Sequence, residues 1–429
     1  MAEICGFCGL RFDERKTGPL ATVVTPPYDV ISDVERMRLA ASNPFNMTHL
    51  ILPKAADAAP PYEQAARLFN QWVGQGVLLR DPQQRMYLLR QTFRDPAGIM
   101  RQRRAFFACL KLPEADERFI LGHERTFDKP VADRLALLRA TRANLEPIFL
   151  MYSDPAGRIT TALFDKMARE APHFAITTSD SVKQELWTTP PSREIQEHFE
   201  GQILYIADGH HRFKTACAYR DEQRRQSGAK DGNEPHDYVM AGFVAFEEPG
   251  LQIYPAHRVL PNAMGISWDT FSAALGRYFQ MHPVPEKASL TEALAAAPEK
   301  CAMVLYHSRG AWMLTLDEGK RLDLVGDDRS QAWRDLDVAV LHSGILNKLM
   351  GRPETLDLIF EKDSGAATAL VDSGAASMAF ILRPPSPGQV RACAESFEPM
   401  PQKSTYFFPK LPSGTVIYAH EPVFEKEKG

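Results

Sequence analysis

Hydrophobic and polar positions alternate along this chain in short blocks that predict both strands and helices. Residues 62–73 carry apolar side chains at helical spacing, and residues 85–93 and 100–112 predict two strands around the turn Asp95-Pro-Ala-Gly98. The same pattern predicts helices near 130–143, 160–171, 191–199, 267–279, 289–298 and 336–350, and strands near 147–152, 173–178, 181–188, 237–246 and 251–257. We therefore expect a mixed α/β fold.

The length of the chain favours more than one hydrophobic core. At 429 residues it exceeds a typical single domain, so we expect two domains, or one core with large additions. Pro261-Asn262 is the best boundary, and it divides the chain into a domain at 1–260 and a C-terminal α/β domain at 261–429.

Composition narrows the class of protein. The 50 Lys and Arg residues against 54 Asp and Glu give a net charge of −4, which lacks the basic field that nucleic-acid binding needs. Nucleic acid is therefore not the expected partner. The run Arg101, Arg103 and Arg104 predicts a strand face turned to solvent or to a ligand, and we favour solvent. No apolar stretch approaches the roughly 20 residues of a membrane span, and no signal-peptide pattern is present, so we expect a cytoplasmic protein that does not bind a membrane.

The six cysteines fit a reducing compartment. A metal or redox role for the pair Cys5 and Cys8 is not favoured, because no second closely spaced pair accompanies them. The sequence leaves the oligomeric state open.

The segment 203–216 joins an apolar strand directly to a helix and places polar side chains at the junction. A helix that begins at a glycine presents unpaired backbone N–H groups and the positive end of its dipole, which suit a phosphate. Arg212 offers a planar fork of donors, His210 and His211 can transfer protons near neutral pH, and Asp208 can accept a proton or hold Mg²⁺. We therefore predict an active site at this junction.

A structural interpretation of the same junction stays open. Asp208 could be a helix N-cap, Gly209 a turn residue with positive φ, and Arg212 part of a solvated first turn. Neighbouring positions on a helix point about 100° apart, so His210 and His211 need not face one ligand, and we expect His211 to be the structural one.

Other polar clusters are candidates to complete the site. Thr25-Pro-Pro-Tyr28-Asp29 is a rigid loop that would present a hydroxyl and a carboxylate, although it could equally be a turn that caps the following helix. Glu124, beside His123, could be a general base. Since a catalytic site draws on several elements, we expect Tyr28 or Asp29, His123 or Glu124, and Arg212 to line one cleft.

The loop Lys403-Ser404-Thr405 offers an ammonium and two hydroxyls, the groups of a phosphate clamp. It is not a Walker A loop, because the Gly-x-x-x-x-Gly-Lys pattern is absent. The sequence also lacks the dinucleotide-binding, His-Glu-x-x-His and Gly-x-Ser-x-Gly motifs, so nicotinamide chemistry is not supported.

The string Asp208-Gly-His-His-Arg212 resembles the phosphate-binding box of the ParB/sulfiredoxin superfamily, whose members include free-serine kinases, nucleotide-binding partition proteins and sulfinic acid reductases. The chain also resembles a narrower family, domain of unknown function 1015, along most of its length. The segments that carry this second resemblance are 25–32, 43–49, 123–126, 133–135, 139–149, 207–212, 238–240, 257–258, 336–342 and 403–405. The resemblance implies a ParB/sulfiredoxin-like core with large additions, and a catalytic or nucleotide-binding domain at 1–260.

The resemblance and these residues together imply a nucleotide-dependent phosphotransferase that acts on a hydroxylated or phosphorylated metabolite such as serine or phosphoserine, with ATP or ADP and Mg²⁺ as cofactors. The alternatives are a metal-assisted phosphatase or hydrolase and a non-enzymatic, nucleotide-gated binding protein. The implied roles are catalytic for Asp208, His210, His211, Glu124 and His123, phosphate-binding for Gly209, Arg212, Lys403, Ser404 and Thr405, substrate-binding for Tyr28, Asp29 and Arg258, and metal-binding for Asp208.

Overall fold

The computed structural model describes residues 1–54, 60–165, 167, 170–228, 232–261, 267–285, 290–351 and 357–420. Asn262, at the predicted domain boundary, lies outside these residues. Within them, none of the helices combines the length and the apolar character that a membrane span requires.

The strands are numbered here in chain order. They are β1 (Ile4–Cys5), β2 (Leu10–Phe12), β3 (Leu78–Arg80), β4 (Met86–Arg94), β5 (Met100–Lys111), β6 (Ile120–Leu121), β7 (Ala143–Asn144), β8 (Ile148–Tyr152), β9 (Phe174–Thr177), β10 (Lys183–Thr189), β11 (Leu204–Asp208), β12 (Tyr238–Ala245), β13 (Gln252–Tyr254), β14 (His257–Pro261), β15 (Phe279–Pro283), β16 (Ala302–His307), β17 (Gly310–Leu316), β18 (Ile359–Glu361), β19 (Ala376–Leu382), β20 (Tyr406–Phe408) and β21 (Tyr418–Ala419).

The α-helices are α1 (Glu14–Thr17), α2 (Asp33–Ser42), α3 (Thr48–Ile51), α4 (Pro61–Gly74), α5 (Asp128–Thr141), α6 (Arg158–Phe164), α7 (Arg193–Phe199), α8 (His210–Ser227), α9 (Trp268–Leu275), α10 (Leu290–Ala296), α11 (Arg321–Val325), α12 (Gln331–Arg334), α13 (Asp337–Ala339), α14 (Ser364–Asp372) and α15 (Pro387–Glu395). A π-helical segment, Val340–Leu349, follows α13.

The contacts divide the chain into two units, and the first comprises residues 1–121, 126–251 and 409–420. Its main sheet has the strand order β6-β11-β8-β12-β5-β4-β10-β9, and β1 pairs with β5 at Cys109 and Leu110. The pairs β6/β11 and β8/β12 are parallel, whereas the other neighbours in this order are antiparallel. This mixed sheet positions the candidate site.

Both faces of the sheet are buried, and β5 shows how the sequence encodes this. Phe106 and Leu110 face one hydrophobic cluster, while Ala105 and Phe107 are buried on the other face. A strand covered on both sides needs a continuous apolar run rather than alternation, which is what 105–110 provides. Helix α5 packs against both α4 and α8.

The second unit comprises residues 122–125 and 252–408. Its sheet has the strand order β15-β17-β16-β19-β14-β18, and all of these neighbours are antiparallel. Helices α10 and α14 contact this sheet around Val259, Val304 and Ile381. Helix α15 begins with a capping box, in which Ser386 and Gln389 each bond the backbone N–H of the other, and Pro387 occupies its first position.

The predicted mixed α/β fold is confirmed, including the strand–glycine–helix junction after residue 203. The segment 409–420 lies in the first unit rather than with 261–408. The division into domains at 1–260 and 261–429 stays a prediction.

The prediction of a solvent-facing arginine run is wrong. Arg103 is fully buried, and Arg101 and Arg104 form ion pairs with Asp95 and Glu248. Side chains alternate between the two faces of β5, so Arg103 lies on the same face as Ala105 and Phe107. That face is buried.

Candidate active site

Gly209 joins β11 to α8 and permits the turn between them. Its φ is +88°, a left-handed conformation that a Cβ would strain, and a Cβ here would lie 3.0 Å from Arg212 Nε. Gly209 is also the N-cap residue of α8, and it has no side chain with which to cap the helix. The alternative that Asp208 caps the helix is therefore wrong, and its carboxylate is used elsewhere.

Asp208 forms ion pairs with two basic side chains. Arg212 Nη2 lies 3.1 Å from Oδ2, and Lys410 Nζ lies 3.3 Å from Oδ1. Burial alone would raise the pKa of Asp208, but Lys410 and Arg212 together lower it to about 2. Asp208 is therefore ionised at neutral pH and is not suited to accept a proton from a substrate.

Arg212 uses its guanidinium inside the protein. Nη2 donates to Asp208 and Nη1 donates to the carbonyl oxygen of Pro147. Burial opposes the charge of Arg212, but Glu146, Asp208 and Asp29 more than offset this and raise its pKa. Both terminal nitrogens of Arg212 thus already bond protein oxygens. Direct bidentate binding of phosphate by Arg212 stays a prediction.

The segment that carries Lys410 packs directly on the sheet. A Cβ on Gly242 of β12 would lie 2.4 Å from Leu411 Cδ1, so the missing side chain of Gly242 leaves the space that Leu411 fills. Gln91 of β4 donates from Nε2 to the Lys410 carbonyl oxygen at 3.0 Å. These two contacts fix the backbone that delivers Lys410 to Asp208.

Arg103 lies in the same hydrogen-bonded network. Its Nε donates to Gln91 Oε1 at 3.0 Å, and its guanidinium carbon lies 4.8 Å from the centre of the Phe149 ring. The nearby carboxylate of Glu248 is engaged by Arg104, and among the described residues Arg103 Nη1 has no hydrogen-bond partner. Burial lowers the pKa of Arg103 to about 9, which still leaves it charged at pH 7. We name Gln91, Arg103, Asp208, Arg212 and Lys410 the Asp208 network.

The loop at Tyr28 and Asp29 reaches this network through Glu146. The Tyr28 N–H donates to Glu146 Oε1 at 2.9 Å, and Ser413 Oγ donates to the same oxygen at 2.8 Å. Burial and the neighbouring Asp29 raise the pKa of Tyr28, and Asp29 itself is exposed. Tyr28 and Asp29 therefore act electrostatically on Arg212. That these residues line one cleft with His123 or Glu124 stays a prediction.

The burial of the two junction histidines is the reverse of our expectation, because His210 rather than His211 is buried. His210 is 5% exposed, and burial lowers its pKa to about 3 despite the opposing charge of Asp208. His211 is partly exposed, accepts a hydrogen bond from the Phe127 N–H at Nε2 (3.1 Å) and stacks on the Phe127 ring. His210 therefore has the surroundings of a structural histidine, because its position faces the interior.

The remaining predicted residues lie in the second unit. His123 is fully buried, and its Nε2 lies 3.0 Å from Thr405 Oγ1, while Glu124 is partly buried. Lys403 is exposed, with φ of +56°. Ser404 is buried and donates to the Pro401 carbonyl oxygen. The structure thus gathers Tyr28, Asp29 and 208–212 in the first unit and His123, Glu124, Arg258 and 403–405 in the second.

Arg258 is fully buried in that second group. Its Nε donates to His342 Nε2 at 3.0 Å, Nη2 donates to the Gln402 carbonyl oxygen at 2.9 Å, and Nη1 donates to the Ala256 carbonyl oxygen. Two segments that the sequence singled out, 257–258 and 336–342, therefore meet at one guanidinium, together with Gln402 beside the loop at 403–405.

The residues around Asp208 do not fit a Mg²⁺ ion. Each carboxylate oxygen already faces a cation, so a metal would have to displace Lys410 and Arg212. In the described part of the chain, no three His, Cys, Asp or Glu side chains are grouped to hold a metal. Cys5 and Cys8 are free thiols, and burial raises the pKa of Cys5 to about 11.

Sequence reasoning missed Lys410, Arg103, Gln91 and Glu146. Strand alternation was a usable signal for Arg103, since it places this arginine on the face of Ala105 and Phe107. Lys410 carries no such local signal, because only the folding of 409–417 onto the sheet brings it to Asp208.

Comparisons with known proteins give one family and a set of remote structural likenesses. The family model described as "Protein of unknown function (DUF1015)" matches residues 4–339, a range that includes 208–212 and ends before His342 and 403–405. A comparison with curated proteins gives no match.

Three solved structures illustrate the remote likenesses. A free serine kinase in complex with AMP is 12% identical, with a TM-score of 0.33 over 67% of this chain and 83% of that chain. A conserved hypothetical protein from Pyrococcus furiosus is 13% identical, with a TM-score of 0.33 over 69% and 90%. SbnI from Staphylococcus aureus is 13% identical, with a TM-score of 0.35 over 71% and 85%. Likenesses of this size support no statement about activity, so function must be argued from this chain's own residues.

Proposed function

This chain belongs to the DUF1015 family of proteins of unknown function, and we propose that it binds the phosphate groups of a nucleotide at the Asp208 network and transfers a phosphoryl group to a small hydroxylated metabolite. The observation that carries the proposal is a pair of unsatisfied buried donors. Arg103 Nη1 and Arg212 Nε have no hydrogen-bond partner among the described residues, and Lys410 adds a third, largely buried cation.

A buried N–H donor without an acceptor is costly. The oxygens of an anion bound at the network would accept hydrogen bonds from these donors. Helix α8 supports this assignment, because its 18 residues follow Gly209 and direct the positive end of the dipole to the same turn. A phosphate group has the charge and the acceptor oxygens that such a turn binds.

In the proposed reaction, the bond between the terminal phosphorus and its bridging oxygen breaks while a bond forms between that phosphorus and the acceptor hydroxyl oxygen. Lys410 and Arg103 stabilise the charge on the transferred phosphoryl group. The hydroxyl proton passes to solvent water, because Asp208 is held ionised between its two cations and is a weak base. Serine is the first acceptor to test, since the box at 208–212 resembles that of free-serine kinases.

Phosphorus NMR tests this function directly. The protein is incubated with ATP or ADP and L-serine, with and without Mg²⁺, and a phosphate-ester signal should grow as the nucleotide signal declines. Lys410→Met should lower kcat/KM by at least about 100-fold, the scale of one lost charge-stabilising donor. Lys183→Met is the matched control, because Lys183 is an exposed lysine of the same unit that pairs with Glu185.

A nucleotide-gated binding protein is the second candidate. It is favoured by the closed ion pairs of Asp208 and by the burial of His210, which make the junction a rigid anion receptor rather than a proton-transfer site. Turnover separates the two functions. The nucleotide-gated binding protein would be favoured if nucleotide binding depends on Lys410 and yet no hydroxylated acceptor is phosphorylated.

A further inference from the structure

A cavity of about 360 Å³ lies within the second unit, apart from the residues used in the proposed function. Its volume is at the lower end of the range of small-molecule pockets, which begins near 300 Å³. Apolar walls come from Leu336, Val338, Leu382 and Pro384, and polar groups come from Arg258, Lys300, Asp337, Arg383, Gln389 and Ser404.

Most of the charged groups that line this cavity are already paired. Arg383 donates to Asp337 at 2.8 Å, and Lys300 Nζ lies 2.8 Å from Asp335. Glu299, which also lines the cavity, is exposed to solvent. The charge of Arg258 differs, because its three hydrogen bonds go to a histidine and two backbone carbonyls rather than to a carboxylate.

Arg258 is therefore a fully buried cation for which the described residues provide no ion-pair partner. Burial alone lowers the pKa of this side chain to about 9, so it is still charged at pH 7. A guanidinium has five N–H donors, and three of them serve the protein acceptors. A buried charge without a counterion is costly, and an anion in the adjoining cavity would remove that cost.

We propose that this cavity binds a small organic monocarboxylate whose charge is balanced by Arg258. A single carboxylate matches the single unbalanced charge, whereas a phosphate dianion would exceed it. The apolar wall formed by Leu336, Val338 and Leu382 accepts the hydrocarbon part of the molecule. Ser404 also lines this cavity, which gives the loop at 403–405 a ligand other than the one first expected.

Calorimetric titration of the full chain with sodium butyrate and with inorganic phosphate, at constant ionic strength, tests the site. We expect butyrate to bind the wild type, and Arg258→Met to weaken it by at least about tenfold, as expected for a lost buried charge partner. Arg258→Lys keeps the charge and should lose less affinity than Arg258→Met. Arg309→Met removes an exposed arginine of the same unit that pairs with Asp269, and it should bind butyrate like the wild type.

Lys300→Glu provides a second test, because Lys300 is half-exposed and its replacement should not disturb folding. It should weaken butyrate binding by a few fold through repulsion at the rim of the cavity. Lys410→Met should leave butyrate binding unchanged, which separates this site from the Asp208 network. Absence of butyrate binding to the wild type would overturn the proposal. So would wild-type affinity for butyrate in both Arg258→Met and Lys300→Glu. Tighter binding of phosphate than of butyrate in the Lys410→Met background would also overturn it.

Discussion

Lys410 Nζ lies 3.3 Å from Asp208 Oδ1, while Arg212 Nη2 lies 3.1 Å from Oδ2, so each oxygen of one buried carboxylate has its own cation. This arrangement stabilises the negative charge of Asp208 and fixes the turn at Gly209. It also concentrates positive charge at the N-terminus of α8, where a phosphate would bind.

Removal of Lys410 should destabilise the protein. Lys410→Met leaves Asp208 with Arg212 as its ion-pair partner, and loss of one charged hydrogen bond at a buried carboxylate costs about 1–3 kcal/mol. The pKa of Asp208 should rise from about 2 at the same time. Urea unfolding measures the free energy of unfolding, and Lys183→Met, at an exposed ion pair, should change it by less than about 1 kcal/mol. Equal losses in both variants would contradict the role of the buried pair.

Asp208 should make stability depend on pH in strong acid. Its pKa is about 2 in the folded protein and 3.8 ordinarily, so the folded state favours the ionised form. The resulting stability is complete above about pH 4 and is lost as the pH falls towards 2, by up to about 2.5 kcal/mol. In Asp208→Asn the free energy of unfolding should vary less between pH 4 and pH 2. An identical pH profile in wild type and variant would refute this assignment.

His210 should add a second pH dependence in a different interval. Burial lowers its pKa from 6.5 to about 3, so between these values the unfolded chain binds the proton and the folded protein does not. Stability is therefore complete above about pH 6.5 and falls by about 1.4 kcal/mol for each unit below it.

His210→Asn should reduce this slope by one titrating group when unfolding is followed between pH 6.5 and pH 5. Other buried histidines, His257, His342 and His420, titrate in the same direction and should keep part of the slope. A slope that His210→Asn leaves unchanged would mean that His210 is solvated in the folded protein.

Gly242 should be sensitive to even the smallest side chain. In Gly242→Ala the new Cβ would meet Leu411 Cδ1 at 2.4 Å, and the Leu411 side chain, next to Lys410, would have to shift. Overpacking of this kind costs about 1–3 kcal/mol. A variant that folds should also bind phosphate more weakly than wild type in calorimetric titration. Gly74→Ala is the control, because a Cβ at this helical glycine meets open space. Unchanged phosphate affinity in Gly242→Ala would separate Leu411 from the site.

The local part of the site could be predicted from the sequence. An apolar run followed by glycine and a polar helix start specifies the turn at 208–212, because strand, positive-φ glycine and helix are all encoded by neighbouring residues. The positions of Arg103 and Lys410 could not be predicted in this way. They depend on contacts between residues far apart in the chain, such as Leu411 against Gly242.

The exposure of charged residues was predicted least well. Arg103 is buried although two other arginines lie within two positions of it, because Gln91 and Phe149 provide a polar acceptor and an aromatic face inside the protein. Local charge density predicts solvation only where the fold offers no such partners.

The central claim is that the Asp208 network binds the phosphate groups of a nucleotide, and calorimetric titration with ADP and ATP tests it most directly. Wild type and Lys183→Met should bind with equal affinity, while Lys410→Met and Arg103→Met should each weaken binding by at least about tenfold, or 1.4 kcal/mol. Near-native circular dichroism would show that the variants are folded. Equal affinity of all four proteins for both nucleotides, or no binding to the wild type, would contradict the claim.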